Sequence, residues 1–237
     1  MRAILFMSTA AVIATVAACT KTDSGAASDT GMAAGGGSAA AAATNSDVDR
    51  ATGGAGLPEG LAGRTDNPST PMKGAKYTAN GDMWEVVTGP AHIVYKRQDV
   101  ASGNYTASAT IDQLEKPAHP EAYGIFIGGK DLDLPTEAYT YFIVRGTGDL
   151  AVKVREGDKT RDVLTWTSSA DVPKQDATGK ASYMLTAQVT GDAVKFSVNG
   201  KQAASVSKVG LPTDGIAGLR INHNLHVKFS PVSIKTP

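Results

Sequence analysis

Hydrophobic and polar residues alternate along much of the chain after Tyr77, with the period of two that is typical of β-strands. In residues 105–111 every second residue is apolar, which predicts a strand with one buried face. Residues 139–144 are bulky on both faces and predict a central strand that is covered on both sides. A last pair of predicted strands, residues 215–221 and 225–234, closes the chain. No segment after Tyr77 keeps the period of a helix.

Turn signals separate the predicted strands at short intervals. Gly-Thr-Gly-Asp at residues 146–149 and Gly191-Asp192 each predict a hairpin, and Asn-His-Asn at residues 222–224 joins the last pair. Asn199-Gly200 is the strongest of these signals, because a type I′ turn needs a positive φ at both central residues. Many short strands joined by turns predict an all-β, antiparallel sandwich or barrel.

The N-terminal 18 residues have the pattern of an export signal. Arg2 supplies a positive charge, and residues 3–16 form an almost unbroken apolar stretch. That stretch is shorter than the roughly 20 residues of a transmembrane helix, so residues 1–18 are predicted to be a signal peptide. Two alanines then lead into Cys19, which is the only cysteine in the chain.

The run Val16-Ala17-Ala18-Cys19 resembles the lipobox of bacterial lipoproteins, in which an aliphatic residue and two small residues precede a cysteine. In that family the cysteine is acylated and becomes the mature N-terminus, so the resemblance implies a lipid anchor at Cys19. Several acyl chains together hold a protein on a membrane, whereas one chain binds only marginally. Thr20 and Lys21 replace the family's acidic retention signal, which implies the outer membrane where a cell has one. The alternative is an ordinary cleaved signal with a chance cysteine.

Residues 19–75, which begin at the cysteine, are predicted to be a flexible, disordered tether of low complexity. No aromatic residue lies between Phe6 and Tyr77, and the large aliphatic residues follow no period. Such a segment buries too little apolar area to offset the entropy of ordering it. A coil of this length has a root-mean-square span on the order of 40 Å, which would hold a domain away from a membrane. Residues 76–237 are predicted to form that domain.

The charge balance and the single cysteine limit the partners and the stabilising bonds of the protein. Lys and Arg together number 23, as do Asp and Glu, so the formal net charge is zero. This balance argues against a nucleic-acid partner, which requires a basic surface. One cysteine cannot form an intramolecular disulfide, so the domain relies on its core. A domain of about 160 residues buries roughly 70% of its extended-chain surface, which is enough.

The C-terminal strands resemble concanavalin A-like (LamG-type) jelly-roll domains. They are most similar to a bacterial branch described as 3-keto-disaccharide hydrolases or as domains of unknown function. The likeness extends over residues 83–237 and implies an antiparallel jelly-roll β-sandwich. It describes strands and turns, so it bears on architecture more than on activity. The residues that carry it are Asn199-Gly200, Gly215-Ile216, Leu219-Arg220, His223, Val227, Phe229 and Ile234-Lys235.

The acidic pattern of retaining glycosidases on this fold is missing from the sequence. Those enzymes usually carry Glu-x-Asp-x-Glu on one strand, because alternate residues share a face and can flank one glycosidic bond. The chain has no such run, and it also lacks the nucleophile elbow Gly-x-Ser-x-Gly. Where the hydrolase-like relatives have Asn-Ser-Gly-Ile and Phe-Arg-Asn, this chain has Ala122-Tyr123-Gly124-Ile125 and Phe229-Ser230-Pro231. These departures favour binding over catalysis.

Three acidic residues, Asp131, Asp133 and Glu137, are the candidates for a calcium site. Asp131 and Asp133 would share a face in an extended segment, and Ca²⁺ takes oxygen ligands from flexible loops. The alternative is a solvated loop at the rim of a sheet. His223 and His226 are three residues apart across a turn and make poor zinc ligands without a third partner. We therefore expect no metal or other cofactor, with calcium at the three acids as the alternative.

Sugar-binding sites combine aromatic rings, which stack on the apolar faces of pyranoses, with polar groups that fix hydroxyls. His223 matches a histidine of the jelly-roll relatives, which implies a place in a pocket; the alternative is an ordinary turn residue. Aromatic residues in strands also form cores, so the pattern leaves open which rings reach a ligand. The candidates are the rings of Tyr139, Tyr141, Trp166 and Trp84 and the polar side chains of Arg145, Asn222 and His223.

Together these features predict a lipid-anchored lipoprotein of the bacterial cell envelope, with an extracytoplasmic β-sandwich that binds glycan or another surface ligand without catalysis. One alternative is a glycoside hydrolase of the keto-disaccharide hydrolase type. Another is a structural envelope component with no small ligand. Two carboxylates about 5 to 9 Å apart in a cleft would favour hydrolysis, whereas exposed rings without paired acids would favour binding.

The anchor is tested by replacing Cys19 with alanine in the producing cell. The Cys19→Ala protein has no acylation site, so it should move from the membrane pellet to the soluble fraction. A Thr20→Ala protein keeps the cysteine and should stay with the membranes. Unchanged membrane partitioning of Cys19→Ala would refute the anchor.

Overall fold

The structure is a computed structural model that describes Gly54 and residues 56–237. In this part of the chain the regular structure is β-strand, apart from a short 3₁₀ turn at Met72–Gly74. The predicted signal peptide, Cys19 and most of the predicted tether lie outside the described residues. Among the residues that are described, no helix has the length and apolar character needed to cross a membrane.

One layer of the fold is a seven-stranded antiparallel sheet in which spatial neighbours are often distant in sequence. Its strands, in spatial order, are β1 (Ala62–Thr65), β4 (His92–Ala101), β13 (Gly215–Ile221), β6 (Ala122–Lys130), β7 (Ala138–Arg145), β8 (Asp149–Glu156) and β9 (Lys159–Ser168). Strand β13 therefore lies between β4 and β6, although six strands or more separate it from both along the chain.

The second layer is an antiparallel sheet of eight strands. Seven of them follow the order β12 (Lys201–Ser207), β11 (Ala193–Val198), β10 (Ala181–Val189), β5 (Tyr105–Gln113), β14 (His226–Phe229), β3 (Met83–Val87) and β2 (Lys76–Asn80). The eighth strand, β15 (Ser233–Lys235), also pairs with β5. Two antiparallel sheets of this kind form a jelly-roll β-sandwich, so the predicted fold class is confirmed.

The main core lies between the two sheets, where each sheet contributes alternate apolar residues. Phe142 of β7 stacks on Phe196 of β11 with 4.9 Å between ring centroids, and Tyr123 of β6 stacks on Tyr183 of β10 at 5.9 Å. Every second residue of β5 is buried, as its alternation predicts. Burial of these alternating faces is the main source of stability for a sandwich without disulfides.

The outer face of the seven-stranded sheet carries a second apolar cluster. Six consecutive residues of β7 are buried, which confirms that this strand is central and covered on both sides. Gly218 of β13 leaves room for a ring in this cluster, because a β-carbon at this position would lie 2.4 Å from the Phe126 ring. The sheet therefore has packed side chains on both of its faces.

The predicted hairpins are confirmed. Asn199 and Gly200, with φ angles of 52° and 80°, join β11 to β12 as a type I′ turn requires. Residues 146–148 join β7 to β8, and residues 190–192 join β10 to β11. In each of these hairpins the two strands pair directly.

The predicted pairing of the last two strands is wrong, because β13 belongs to the seven-stranded sheet and β14 to the eight-stranded sheet. The chain crosses between the sheets at residues 222–225, where Asn224 has a φ of 56°. The buried Thr88 fixes this crossing. Its N–H donates to the Leu225 carbonyl oxygen at 2.8 Å, and its Oγ1 accepts from the Leu225 N–H at 2.8 Å.

The sandwich begins upstream of the predicted boundary at residue 76. Strand β1 pairs with β4 in the register Ala62↔Tyr95 to Thr65↔His92. Its sequence, Ala-Gly-Arg-Thr, has no alternation of large apolar residues, which is why the hydrophobic pattern places this strand in the tether. Pairing with the edge of an existing sheet holds these residues in place.

A buried histidine at the start of β4, His92, makes the stability of the folded protein depend on pH. The Nδ1 atom of His92 lies 2.8 Å from the Pro90 carbonyl oxygen, which can only accept, so Nδ1 carries the proton. The Nε2 atom therefore accepts from the Tyr77 hydroxyl at 2.5 Å. Burial lowers the pKa of His92 to about 4, so the imidazole is neutral in the folded protein.

We expect His92 to make the folded state less stable as the pH falls from about 6.5 to about 4, because only the unfolded chain then binds its proton. Between pH 7 and pH 4.5 this effect amounts to about 2 to 3 kcal/mol. The His92→Gln variant should lack this part of the pH dependence. Urea unfolding of both proteins at the two pH values measures the difference, and parallel pH profiles would show that His92 is not responsible.

Candidate functional site

A pocket of about 360 Å³ lies at one end of the seven-stranded sheet. Strand pairing explains why separate segments meet there. Ala122 at the start of β6 pairs with Arg145 at the end of β7, and Ile221 at the end of β13 pairs with Tyr123. Antiparallel neighbours thus bring the start of β6 and the ends of β7 and β13 to one edge. The pocket is lined by Lys116, Pro117, Ala118, His119, Pro120, Glu121, Gly146, Thr147 and Gln175.

Glu121 is the centre of a polar cluster at this pocket. Its Oε1 atom lies 2.9 Å from His119 Nδ1 and 3.3 Å from His223 Nε2. Its Oε2 atom accepts a hydrogen bond from Asn222 Nδ2 at 2.9 Å. The carboxylate is only 8% exposed, whereas the two imidazole side chains are 28% and 27% exposed. We call these four side chains the Glu121 cluster.

The backbone around β6 and β13 positions the Glu121 cluster. His119 and Glu121 are two residues apart in a segment that enters β6, so their side chains can point to the same side. The Asn222 N–H donates to the Ala122 carbonyl oxygen at 3.0 Å, which fixes the start of the β13–β14 crossing against β6. His223 follows immediately and reaches the Glu121 carboxylate.

A second group of predicted site residues stands beside the pocket. The guanidinium carbon of Arg145 lies 3.7 Å from the centroid of the Trp166 ring on β9, which is a close cation–π contact. The Lys153 ammonium lies 6.0 Å from the same centroid and forms an ion pair with Asp162 at 2.8 Å. Trp166 is half-buried, and Gly146, the residue after Arg145, lines the pocket. Arg145 therefore adjoins a lining residue of the pocket, although neither Arg145 nor Trp166 belongs to the lining itself.

The other predicted aromatic residues lie elsewhere. Tyr139 and Tyr141 are 2% and 7% exposed and pack in the outer apolar cluster, with 5.5 Å between their ring centroids. Trp84 lies on β3 in the other sheet, where it stacks on Phe229 at 6.1 Å. The structure thus brings Arg145, Trp166, Asn222 and His223 to one edge of the fold and leaves these three rings as packing groups.

The sequence analysis missed Glu121 and His119. The usable signal is the His-x-Glu spacing between Pro117 and the start of β6, but nothing in the local pattern connects that loop to His223. His226, which the sequence places beside His223, instead contacts Glu85 through Nε2 at 2.7 Å and Glu115 through Nδ1 at 2.5 Å. His223 instead lies beside Glu121 and His119, which the pairing of β13 with β6 brings to the same edge.

The three calcium candidates are engaged with other side chains. The two carboxylate oxygens of Asp133 accept from Arg97 Nη1 at 2.7 Å and from the Tyr95 hydroxyl at 3.0 Å. Asp131 accepts from Thr136 Oγ1 at 3.2 Å. These bonds tie the β6–β7 loop to β4. They satisfy oxygens that a calcium ion would otherwise use.

Glu137, the third candidate, is buried between two arginines. Its Oε1 atom lies 3.3 Å from Arg155 Nε and 3.7 Å from Arg64 Nε. Burial raises the pKa of the Glu137 carboxyl, and the charges of the two arginines oppose this rise. Close to this group, Arg220 of β13 forms a two-pronged ion pair with Asp66, which follows β1. These contacts bind the start of the domain to the centre of the sheet.

Comparison with known proteins identifies the fold and no family. No family model matches the sequence, and no curated protein matches it either. Among solved structures, the carbohydrate-binding module CBM66 from Bacillus subtilis has a TM-score of 0.54 and 11% identity, covering 75% of this chain and 96% of that one. A Bacillus subtilis protein of unknown function with a galectin-like fold has a TM-score of 0.54 and 10% identity, covering 73% and 88%.

An enzyme shares the architecture as well. A glycoside hydrolase family 16 endo-glucanase from Bacteroides ovatus has a TM-score of 0.52 and 9% identity, covering 76% of this chain and 96% of that one. At identities this low the likeness shows the fold alone. The chain therefore has the jelly-roll sandwich that carbohydrate-binding modules and glycoside hydrolases also use.

The Asp66–Arg220 pair should contribute far more to stability than an exposed pair. Asp66→Ala leaves the 9%-exposed Arg220 side chain without its partner, and we expect a loss of about 2 kcal/mol or more. The loss should stay below the value for a fully buried pair, because Asp66 reaches solvent. Arg97→Ala breaks an exposed pair, with side chains 64% and 52% exposed, and should cost much less than Asp66→Ala. Urea unfolding compares the two variants, and equal losses would contradict a special role for Asp66.

Proposed function

We propose that this protein is a lipid-anchored, extracytoplasmic binding protein of the cell envelope whose β-sandwich binds glycan at the pocket beside the Arg145–Trp166 stack. The proposal makes no use of catalysis. Cys19, which would carry the lipid, lies outside the described residues, so the anchor rests on the lipobox-like sequence.

The observation that supports glycan binding is that a polar pocket and the stack of Arg145 on Trp166 lie at the same edge of the sheet, where Gly146 of the pocket lining follows Arg145. Sugars are bound by flat ring surfaces together with a few well-placed hydrogen-bonding groups. Trp166 offers the ring, while Asn222, Thr147 and Gln175 offer polar atoms at or beside the pocket. A volume of about 360 Å³ is in the range of small-ligand sites. The jelly-roll fold, which a known carbohydrate-binding module shares, agrees with this use.

The carboxylates near the site argue against a standard glycosidase. Among the described residues that line the pocket, Glu121 is the one carboxylate, whereas glycosidases usually need two. Asp66 and Glu137 lie on the outer face of the same sheet, but both are held by arginines. These arginine contacts occupy carboxylate oxygens that would otherwise have to reach a substrate.

One observation supports the alternative, a glycoside hydrolase of the keto-disaccharide hydrolase type. Glu121 is a buried carboxylate in contact with two imidazoles at a pocket, and such a group can act as a general base. The family 16 enzyme with the same architecture shows that the fold admits hydrolysis. An experiment is therefore needed to distinguish the two candidate functions, glycan binding and hydrolysis.

A glycan array probed with the purified protein tests the proposed function. Trp166→Ala should weaken binding of a positive glycan about tenfold, because the variant removes the ring surface. Trp84→Ala is the matched control, since Trp84 also has a cation over its ring, Lys96 at 5.4 Å, but lies in the other sheet. This control should bind like the wild type.

Two outcomes would overturn the proposal. Binding that is lost in Trp84→Ala and kept in Trp166→Ala would place the site elsewhere. No binding on the array, together with release of monosaccharide from 3-keto-disaccharides that stops in Glu121→Gln, would establish the hydrolase.

A further inference from the structure

The Glu121 cluster offers the donor atoms of a transition-metal site. His119 and His223 supply imidazole nitrogens, and Glu121 supplies a carboxylate oxygen. Calcium and magnesium take oxygen ligands, whereas mixed nitrogen and oxygen sets suit zinc and its first-row neighbours. Within residues 54 and 56–237, this is the group of His, Asp and Glu side chains whose donor atoms all lie within 4.8 Å of one another.

The distances fit a single ion. Zinc binds imidazole nitrogen at about 2.0–2.1 Å and carboxylate oxygen at about 2.0–2.2 Å, so two ligands of one ion lie about 3.0–3.4 Å apart. Glu121 Oε1 lies 2.9 Å from His119 Nδ1 and 3.3 Å from His223 Nε2. The donor nitrogens of His119 and His223 lie within 4.8 Å of one another, so the three atoms can surround one ion once the two imidazoles close around it.

Asn222 orients the Glu121 carboxylate through a hydrogen bond, without being one of the three proposed ligands. Its amide donates to Oε2 of Glu121 at 2.9 Å, and both imidazoles approach the other oxygen, Oε1. Hydrogen bonds that fix one oxygen of a ligating carboxylate are a regular feature of metal sites. The Glu121 carboxylate is also largely withdrawn from solvent, and a buried negative charge is stabilised by a bound cation.

The pocket supplies access to the site. His119 and Glu121 both belong to its lining, so an ion held by them would face its interior. Three protein ligands leave at least one position for water or for an oxygen of a bound molecule, which is the pattern of open zinc sites. A sugar hydroxyl or carboxylate in the pocket could fill that position.

We propose that His119, Glu121 and His223 bind one divalent ion of the zinc class, and that Asn222 positions Glu121 for this role. The proposal does not depend on glycan binding, because its ligands and its readout are separate from those of the Arg145–Trp166 stack. It differs from the expectation drawn from the sequence, which considered His223 with His226 and named no third ligand.

His226, the first residue of β14 after the crossing between the sheets, provides a matched control. Each of its two ring nitrogens contacts a different carboxylate, Nε2 that of Glu85 and Nδ1 that of Glu115. The nitrogens of one imidazole cannot bind the same ion, so this arrangement is a pair of hydrogen-bonded ion pairs. Losing it should leave zinc binding unchanged.

Calorimetric titration of the metal-stripped protein with ZnCl₂ at pH 7.5 tests the proposal. We expect one ion per chain, an affinity at least about tenfold lower in His223→Gln, and an affinity about 10- to 100-fold lower in Asn222→Ala. His226→Gln should bind like the wild type. Titration with CoCl₂ should also produce visible absorption bands in the wild type and in His226→Gln, and these bands should be weakened in His223→Gln.

Melting curves separate loss of the site from loss of the fold. Zinc should raise the melting temperature of the wild type and of His226→Gln, because the ion binds the folded state. It should have little effect on His223→Gln, whose own fold is checked by its cooperative melting; if that variant does not fold, His119→Gln takes its place. No stoichiometric zinc binding by the wild type, or equal affinities in the wild type, His223→Gln and Asn222→Ala, would overturn the proposal.

Discussion

The pairing of β13 with β4 on one side and with β6 on the other decides where the side chains of this protein meet. A late strand is inserted into the middle of a sheet whose other strands come from the first two thirds of the chain. Its end lies beside the start of β6, so Asn222 and His223 reach Glu121. Arg220, the penultimate residue of β13, reaches Asp66, which follows β1. The pocket edge and the N-terminal strand both depend on this one pairing.

The two faces of the seven-stranded sheet are used in different ways. The inner face contributes aliphatic and aromatic residues to the core, where Phe142 and Phe196 stack. The outer face combines buried tyrosines with arginine–carboxylate pairs, such as that of Glu137 with Arg155. The charged side chains on this face therefore hold loops and strand β1 to the sheet. Polar side chains that line a pocket lie at the edge where β6, β7 and β13 meet, and we propose that a ligand binds there.

The fold could be predicted from local pattern, whereas the site could be predicted only in part. Alternation in β5 and the Asn199-Gly200 turn give strands and hairpins directly, because both depend on neighbouring residues. The partner of a strand does not follow from its own alternation, so the separation of β13 from β14 was missed. Glu121 was missed for the same reason, since its contact with His223 arises from strand order. Arg145, Trp166, Asn222 and His223 were proposed from residue type alone, and the topology brings these four to one edge.

The central claim is that ligand binds at the edge where β6, β7 and β13 meet. Amide chemical-shift mapping of the protein during titration with an oligosaccharide tests it most directly, since it locates binding without a substitution. We expect the largest shifts in the amides of Lys116, Ala118, His119 and Glu121, in those of residues 146–147 and 222–223, and in the indole N–H of Trp166. Shifts confined to the outer face of the eight-stranded sheet, or to the outer face around Tyr139 and Glu137, would contradict it.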